Sequence, residues 1–365
     1  MSGAATPFTP YPPRPQLEGN YTRDELALAY RNSALPLEAL AFDVTPLGLH
    51  YTLSHFDIPR LDAARYRLRV AGRVARPLAL TLDEIRAMPA RTQRMTLECA
   101  GNGRGLMSPR SQSMPWLSEG VGTAEWTGTP LSNVLEHAGV LPDTADIAFF
   151  GADRGYDRGV EHDYGRSLVP AAAMAEEVLL AWAMNGAPLA PQHGHPLRLV
   201  VPGWFGMASV KWLTRIEALA RKFDGQQQAV GYHYRSRHDD PGVPITVQKV
   251  KSLMIPPGIP DWYTRRRLVD QGTVPLAGRA WSGAGSAVTK VEVAVNGAWH
   301  EAELEPQRHR HAWQGWRWDW RAGPGEYELA CRATDEAGAA QPDVPVWNVS
   351  GMGNNAVHRV PVTVR

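Results

Sequence analysis

The feature that most constrains this chain is a change of texture about two thirds of the way along it. Before Asp239, helical and strand-like periodicities alternate irregularly. After the turn-rich stretches Asp239-Asp240-Pro241-Gly242 and Pro256-Pro257-Gly258, helical periodicity almost vanishes. At 365 residues the chain also exceeds the usual size of a single core. Two domains built on different principles are therefore expected: residues 21–242 and residues 243–365, preceded by a flexible proline-rich tail over residues 1–20.

In the first segment, Thr22 followed by Glu25 is a capping-box start for a helix through Ala29, and Thr81 with Glu84 repeats the device. Thr129-Pro130 opens a third helix with Leu131, Val134, Leu135 and Ala138 on one face and Gly139 as its stop. Strand-like runs cover Tyr66 to Val70, Thr96 to Cys99, Ile147 to Phe150 and Leu197 to Val201. There is no repeating strand–helix–strand unit, and no GxGxxG opens a helix, so the expected class is α+β. In the second segment Val288 to Val295 alternates and ends in Asn296-Gly297, a hairpin signal. Trp316, Trp318 and Trp320 recur at period two, and Tyr327 to Thr334 and Val357 to Val364 add strands. This predicts an all-β, immunoglobulin-like sandwich with Cys331 and the tryptophans in its core or at an interface.

The charge balance of 38 basic against 37 acidic residues argues against a broad surface for nucleic acid or anionic membrane. No run approaches the about 20 apolar residues of a membrane span. The N-terminus lacks a leader pattern, so a cytoplasmic location is expected. Two cysteines make neither a disulfide framework nor a four-thiolate cluster, so redox chemistry would need a metal held largely by non-protein ligands. His193 and His195 form an HxH, but no second ligand pair follows to complete a zinc site. His309 and His311 read as a polar loop.

The most informative stretch is Thr96-Leu-Glu-Cys99-Ala-Gly101-Asn102-Gly103-Arg104-Gly105. A strand carries a lone cysteine to its end, and a glycine-rich turn then lets bulky chemistry approach the backbone. A soft thiolate beside an arginine suits a redox metal, while a buried structural cysteine beside an ordinary turn would read the same way locally.

The run Leu97-Glu-Cys99-Ala-Gly-Asn102-Gly-Arg104 resembles the cysteine motif of the sulfite oxidase family, which also contains assimilatory nitrate reductases. Further similarities follow in order: Tyr30-Arg31-Asn32, Trp116 ahead of Trp126, Asp153, Tyr164-Gly-Arg-Ser167, His193-Gly-His-Pro-Leu-Arg198, Ser209-Val-Lys211-Trp212 and Trp347 to Val360. The resemblance implies a molybdenum–molybdopterin cofactor with Cys99 as the protein's thiolate ligand to the metal. It implies that His193, Arg198 and Lys211 supply cations to the anionic pterin, with Asn32, Asp153, Ser167 and Ser209 as polar contacts. It also implies Arg31 and Arg104 as clamps for a small oxyanion, sulfite favoured, with Arg31 also near the cofactor. Trp116 would be a wall and Tyr232 a hydroxyl donor, with Tyr234 as its competitor. A homodimer through the second domain and an external electron acceptor are further implications.

Two departures stand out. Ser33 takes the place of the family's histidine after Arg-Asn, and Ser350 takes the place of an arginine that sulfite oxidases carry after Trp-Asn-Leu. Arg154, Arg158 or Arg166 could restore the missing charge. The competing readings are a reductase acting on nitrate or another N- or S-oxide, a cofactor-free recognition protein, and a cysteine-nucleophile hydrolase, for which no local base signature exists.

Overall fold

The computed structural model describes residues 21–283 and 285–365. The tail expected over residues 1–20 lies outside the described residues.

Helix α1 (Arg23–Arg31) and helix α2 (Leu82–Arg86) both begin with complete capping boxes, Thr22 with Glu25 and Thr81 with Glu84. Helix α3 (Leu131–Ala138) buries Leu131, Val134, Leu135 and Ala138 and ends on Gly139 at φ +68°. The strands of the first half are β1 (Arg67–Gly72), β2 (Leu78–Thr81), β3 (Arg91–Glu98), β4 (Val121–Pro130), β5 (Asp146–Asp157), β6 (Val160–Leu168), β7 (Leu179–Met184), β8 (Ala187–Pro188), β9 (Arg198–Val200) and β10 (Leu213–Leu219). One sheet runs β2-β1-β10-β5-β6, with β1 and β10 parallel. The other runs β3-β4-β7-β8, with β9 also paired to β7. Leu68, Val70, Phe149 and Ile216 from the first sheet meet Leu180 and Leu199 from the second in one buried cluster. The arrangement mixes short helices with two sheets, and strand dominates it.

The second half is a pair of facing sheets. The strand Gln314–Ala322 lies in one and Gly325–Asp335 in the other, and Trp316, Trp320, Leu329 and Cys331 meet between them. Trp318 is only partly buried at the edge of this core. Asn296 and Gly297 both have positive φ, 47° and 83°, and turn Val288–Val295 into Ala298–Glu301 as the sequence predicted. Among the described residues no helix is long and apolar enough to cross a membrane.

The halves are joined through β3. Thr96 donates its backbone N–H to the His311 carbonyl at 2.8 Å, and its hydroxyl accepts from Trp313 N at 2.8 Å. Glu98, 2% exposed, takes Lys251 Nζ at 2.9 Å, Asn102 Nδ2 at 3.0 Å and Trp281 Nε1 at 3.0 Å. Lys251 also donates to the Asn354 carbonyl at 2.8 Å. This buried pair is fully hydrogen-bonded, the condition under which such a pair offsets its own desolvation. Lys251→Met should therefore lower stability by about 3–5 kcal/mol, because it strands the Glu98 carboxylate. Pairing it with Glu98→Gln should recover much of that loss, and denaturant unfolding of the two variants checks both statements.

Candidate active site

Strand β3 ends at Glu98, so the next residue, Cys99, sits where the chain leaves the sheet. Its N–H is held by the Gly120 carbonyl at 2.8 Å, and its own carbonyl accepts from Asn102 N at 2.9 Å. The turn that follows is tight for steric reasons. A Cβ on Gly101 would lie 2.7 Å from the Arg104 guanidinium, and Gly103, at φ +87°, abuts Asn354. Arg104 is thereby folded back under Cys99, donating from Nε to the Ser350 carbonyl at 2.8 Å and from Nη1 to the Met114 carbonyl at 3.0 Å. Burial raises the Cys99 pKa, and the charge of Arg104 works against that rise.

Cys99 opens onto a cavity with about 650 Å³ of empty space. Of the residues named from sequence, Cys99, Asp153, His193, Arg198, Ser209, Lys211 and Tyr232 all line it. At one end Arg198 donates to the carbonyls of His193 at 3.0 Å and Ser209 at 3.1 Å and lies 4.7 Å from the centre of a Trp126 ring. Lys211 Nζ reaches the Leu53 carbonyl, Ser54 Oγ and the Gln192 carbonyl at 2.8, 3.1 and 2.9 Å. Burial pulls Lys211 down to about 7 and Arg198 to about 10. It lifts Asp153 to about 6. His193 and His50 meet edge to face at 5.5 Å, and burial pushes them to about 2 and about 4, so both imidazoles are neutral at neutral pH.

At the other end the Tyr232 hydroxyl and His55 Nε2 are 2.6 Å apart. His55 stacks on Tyr164 with ring centres at 4.8 Å. Trp116, 2% exposed, packs edge-on against Tyr51 behind Cys99. Tyr234 does not line the cavity; it sits under Lys249 and against Gly353. Of the two candidate tyrosines, only Tyr232 reaches the site.

Three residues named from sequence lie elsewhere. Arg31 is partly exposed, donates to the Phe56 carbonyl at 2.8 Å and pairs with Asp57 at 3.7 Å. Asn32 caps α1 through the Leu28 carbonyl and accepts from Ser54 N at 2.8 Å. Both brace the segment from Ser54 to Asp57 from outside, because Ser33 and Thr52 form an antiparallel bridge that brings the two stretches together. Ser167 is turned away, its hydroxyl donating to Asp146 at 3.0 Å and accepting from Gln228 at 2.6 Å. Sequence reasoning missed His50, His55 and Tyr164. His55 lines the cavity two residues after Leu53 and one after Ser54, the partners of Lys211, and it carried no motif of its own in the sequence.

The chemistry of this donor set fits an anionic, polar cofactor. His50 Nε2, His193 Nε2 and Asp153 Oδ1 are buried without hydrogen-bond partners among the described residues. Arg104, Arg166 and Arg198 are buried and Lys211 partly so, and among the described residues no carboxylate comes within 4 Å of any of them, whereas Lys251 has its Glu98. Buried polar groups and charges of this kind call for partners that a phosphorylated pterin carries.

Comparison with known proteins agrees with this geometry. Residues 55–227 match the oxidoreductase molybdopterin binding domain, and residues 244–365 match the Mo-co oxidoreductase dimerisation domain. Arg31 and Asn32 fall outside the first match. Mitochondrial sulfite oxidase of Mus musculus is 36% identical over 348 residues, covering 88% of this chain and 62% of that protein. Sulfite oxidase of Gallus gallus is 35% identical over 381 residues, covering 98% and 80%. A nitrate reductase of Hordeum vulgare is 34% identical over 369 residues, covering 91% and 41%. This chain thus spans under two thirds of the mammalian relatives it matches. The sulfane dehydrogenase SoxCD from Paracoccus pantotrophus superposes with a TM-score of 0.78 at 26% identity, over 98% of this chain and 95% of that one. With a cysteine at a strand end, a cavity lined by cations beside it and family matches over residues 55–227 and 244–365, the chain belongs to the sulfite oxidase family of molybdopterin-binding oxidoreductases.

Proposed function

We propose that this chain oxidises sulfite to sulfate, with water supplying the oxygen and an external acceptor taking two electrons. The observation that carries this reading is a set of four cations without carboxylate partners among the described residues: Arg198 and Lys211 line the cavity, Arg104 lies against the turn after Cys99 and Arg166 behind Tyr232. Cys99 would ligate the metal. His193, Arg198, Lys211 and Ser209 would hold the anionic pterin, with Asp153 as a polar contact. Bound there, the cofactor supplies oxygen-atom transfer and the accompanying two-electron change.

The chain's own residues then bind and orient. Arg104, pinned by two carbonyls, presents its charge beside Cys99 without side-chain entropy left to lose. If His55 donates from Nε2 to Tyr232, the tyrosine O–H is free to point into the cavity as a fixed donor to a substrate oxygen. Trp116 closes the site behind Cys99 and keeps water from it. Ser167, Arg31 and Asn32 enter this scheme only as supports of the surrounding backbone.

Residues 21–242 would form the cofactor-binding unit and residues 243–365 an immunoglobulin-like unit that pairs two copies; the match of the latter to a dimerisation domain supports this. Nitrate reduction is the second reading, favoured by Ser350 and by the nitrate reductase relatives. Sulfite with an artificial acceptor against nitrate with a reduced viologen separates the two.

Cys99→Ser should abolish turnover and alter the metal's absorption spectrum while the fold persists, as read by metal analysis, released pterin and circular dichroism. Protein free of molybdenum and pterin, from a host that makes the cofactor, would sink the reading. Tyr232→Phe should lower kcat roughly 10²-fold. Tyr234→Phe should leave kcat near wild type, and steady-state kinetics of the pair tests the assignment.

A further inference from the structure

The side chain at position 350 brings no charge to the site; the Ser350 carbonyl instead accepts from Arg104. Of the three arginines that could compensate, Arg154 is exposed and spent on Glu161 and Asp163. Arg158 sits on an exposed turn at φ 52° and donates to the Val230 carbonyl at 3.2 Å. Arg166 differs from both. It is 4% exposed on β6, next to but facing away from Ser167, as alternation along a strand requires. Its Nη1 donates to the Gln227 carbonyl at 2.6 Å, and its guanidinium carbon lies 5.3 Å from the centre of the Tyr232 ring. Its Nε is buried and has no partner among the described residues.

A guanidinium withdrawn from water with one hydrogen bond to a neutral carbonyl is poorly compensated. A structural arginine at this depth would be expected to carry a carboxylate, as Lys251 and Arg110 do. Arg166 instead stands behind the Tyr232 ring and near Tyr164 and His55; those three line the cavity, and Arg166 lies one layer back from it. Its positive charge also helps to hold His55 neutral, after the larger effects of burial and of Lys211.

We propose that Arg166 supplies the second buried positive charge of the oxyanion site, acting with Arg104 from behind Tyr232. This rests on reading the cavity as an oxyanion-oxidising centre. Two buried positive charges beside one hydroxyl donor favour an oxyanion there by their field, and the pair supplies the charge that position 350 lacks.

The test uses cofactor-loaded protein carrying Arg166→Gln, which retains a donor for the Gln227 carbonyl but not the charge, with Arg166→Lys and Arg104→Gln beside it. Molybdenum and pterin content, kcat and KM for sulfite, inhibition by sulfate, and the sulfate-dependent shift in melting temperature are measured on each. Arg166→Gln should keep its cofactor content within about twofold and raise both the sulfite KM and the sulfate inhibition constant roughly 10- to 100-fold, with a smaller fall in kcat. Arg166→Lys should recover part of that loss, and the melting shift with sulfate should shrink in the Gln variant. Wild-type KM and sulfate inhibition in Arg166→Gln, alongside raised values in Arg104→Gln, overturn the proposal while leaving the oxyanion reading intact. A wild-type protein that neither oxidises sulfite nor responds to sulfate overturns the reading, and the proposal with it. If Arg166→Gln does not load, Arg166→Lys decides: a raised sulfite KM at full pterin content supports the role, and a wild-type KM overturns it.

Discussion

A charge removed from water must be answered, and this structure answers its buried charges in two different ways. Where the halves of the molecule meet, Lys251 is answered from within the chain by Glu98. At the neighbouring cavity Arg198 and Lys211, and beside it Arg104, hydrogen-bond among the described residues to neutral carbonyls and hydroxyls. The first arrangement is complete and rigid. The second leaves positive potential in an enclosed space, and the low dielectric there magnifies it. Cys99 stands between the two, one residue after Glu98 and folded against Arg104. The position of the sulfur therefore depends on the satisfied charges, and its chemistry depends on the unsatisfied ones.

The local devices of the fold were legible in the sequence. Capping boxes and the Asn296-Gly297 turn satisfy backbone groups within a few residues, so their physics is contained in the letters themselves. Strand ends were less legible: β5 runs from Asp146 to Asp157, well past the apolar run Ile147 to Phe150, because β6 pairs with it beyond the core. Its continuation is fixed by a partner and not by its own composition.

The site divides along the same line. Residues of the cysteine strand and of the His193 to Lys211 stretch lie together at one cavity, since those segments fold around themselves. Arg31 was misplaced and His55 overlooked for one reason: the bridge between Ser33 and Thr52 is non-local, and it decides which of the two stretches faces the cavity. Ser167 and Arg166 were adjacent candidates on one strand, and only the sheet could say which face was which. Tyr232 and Tyr234 could be separated only because Tyr232 leaves the short helical turn Gln227–Gly231 directly into the cavity, whereas Tyr234 has already entered a strand paired with Val243–Pro244.

Glu98 carries an implication for how such a chain can change over evolutionary time. The carboxylate belongs to the strand that delivers the thiol, but the Lys251, Trp281 and Asn354 groups around it come from the C-terminal half. The halves look like interchangeable modules in outline, yet the strand that delivers Cys99 in one is completed by side chains of the other. A chimera that exchanges the C-terminal half must import matching partners for Glu98, or the turn that carries Cys99 loses its support. Inheritance of the two halves as a unit follows from two hydrogen bonds that cross to one carboxylate.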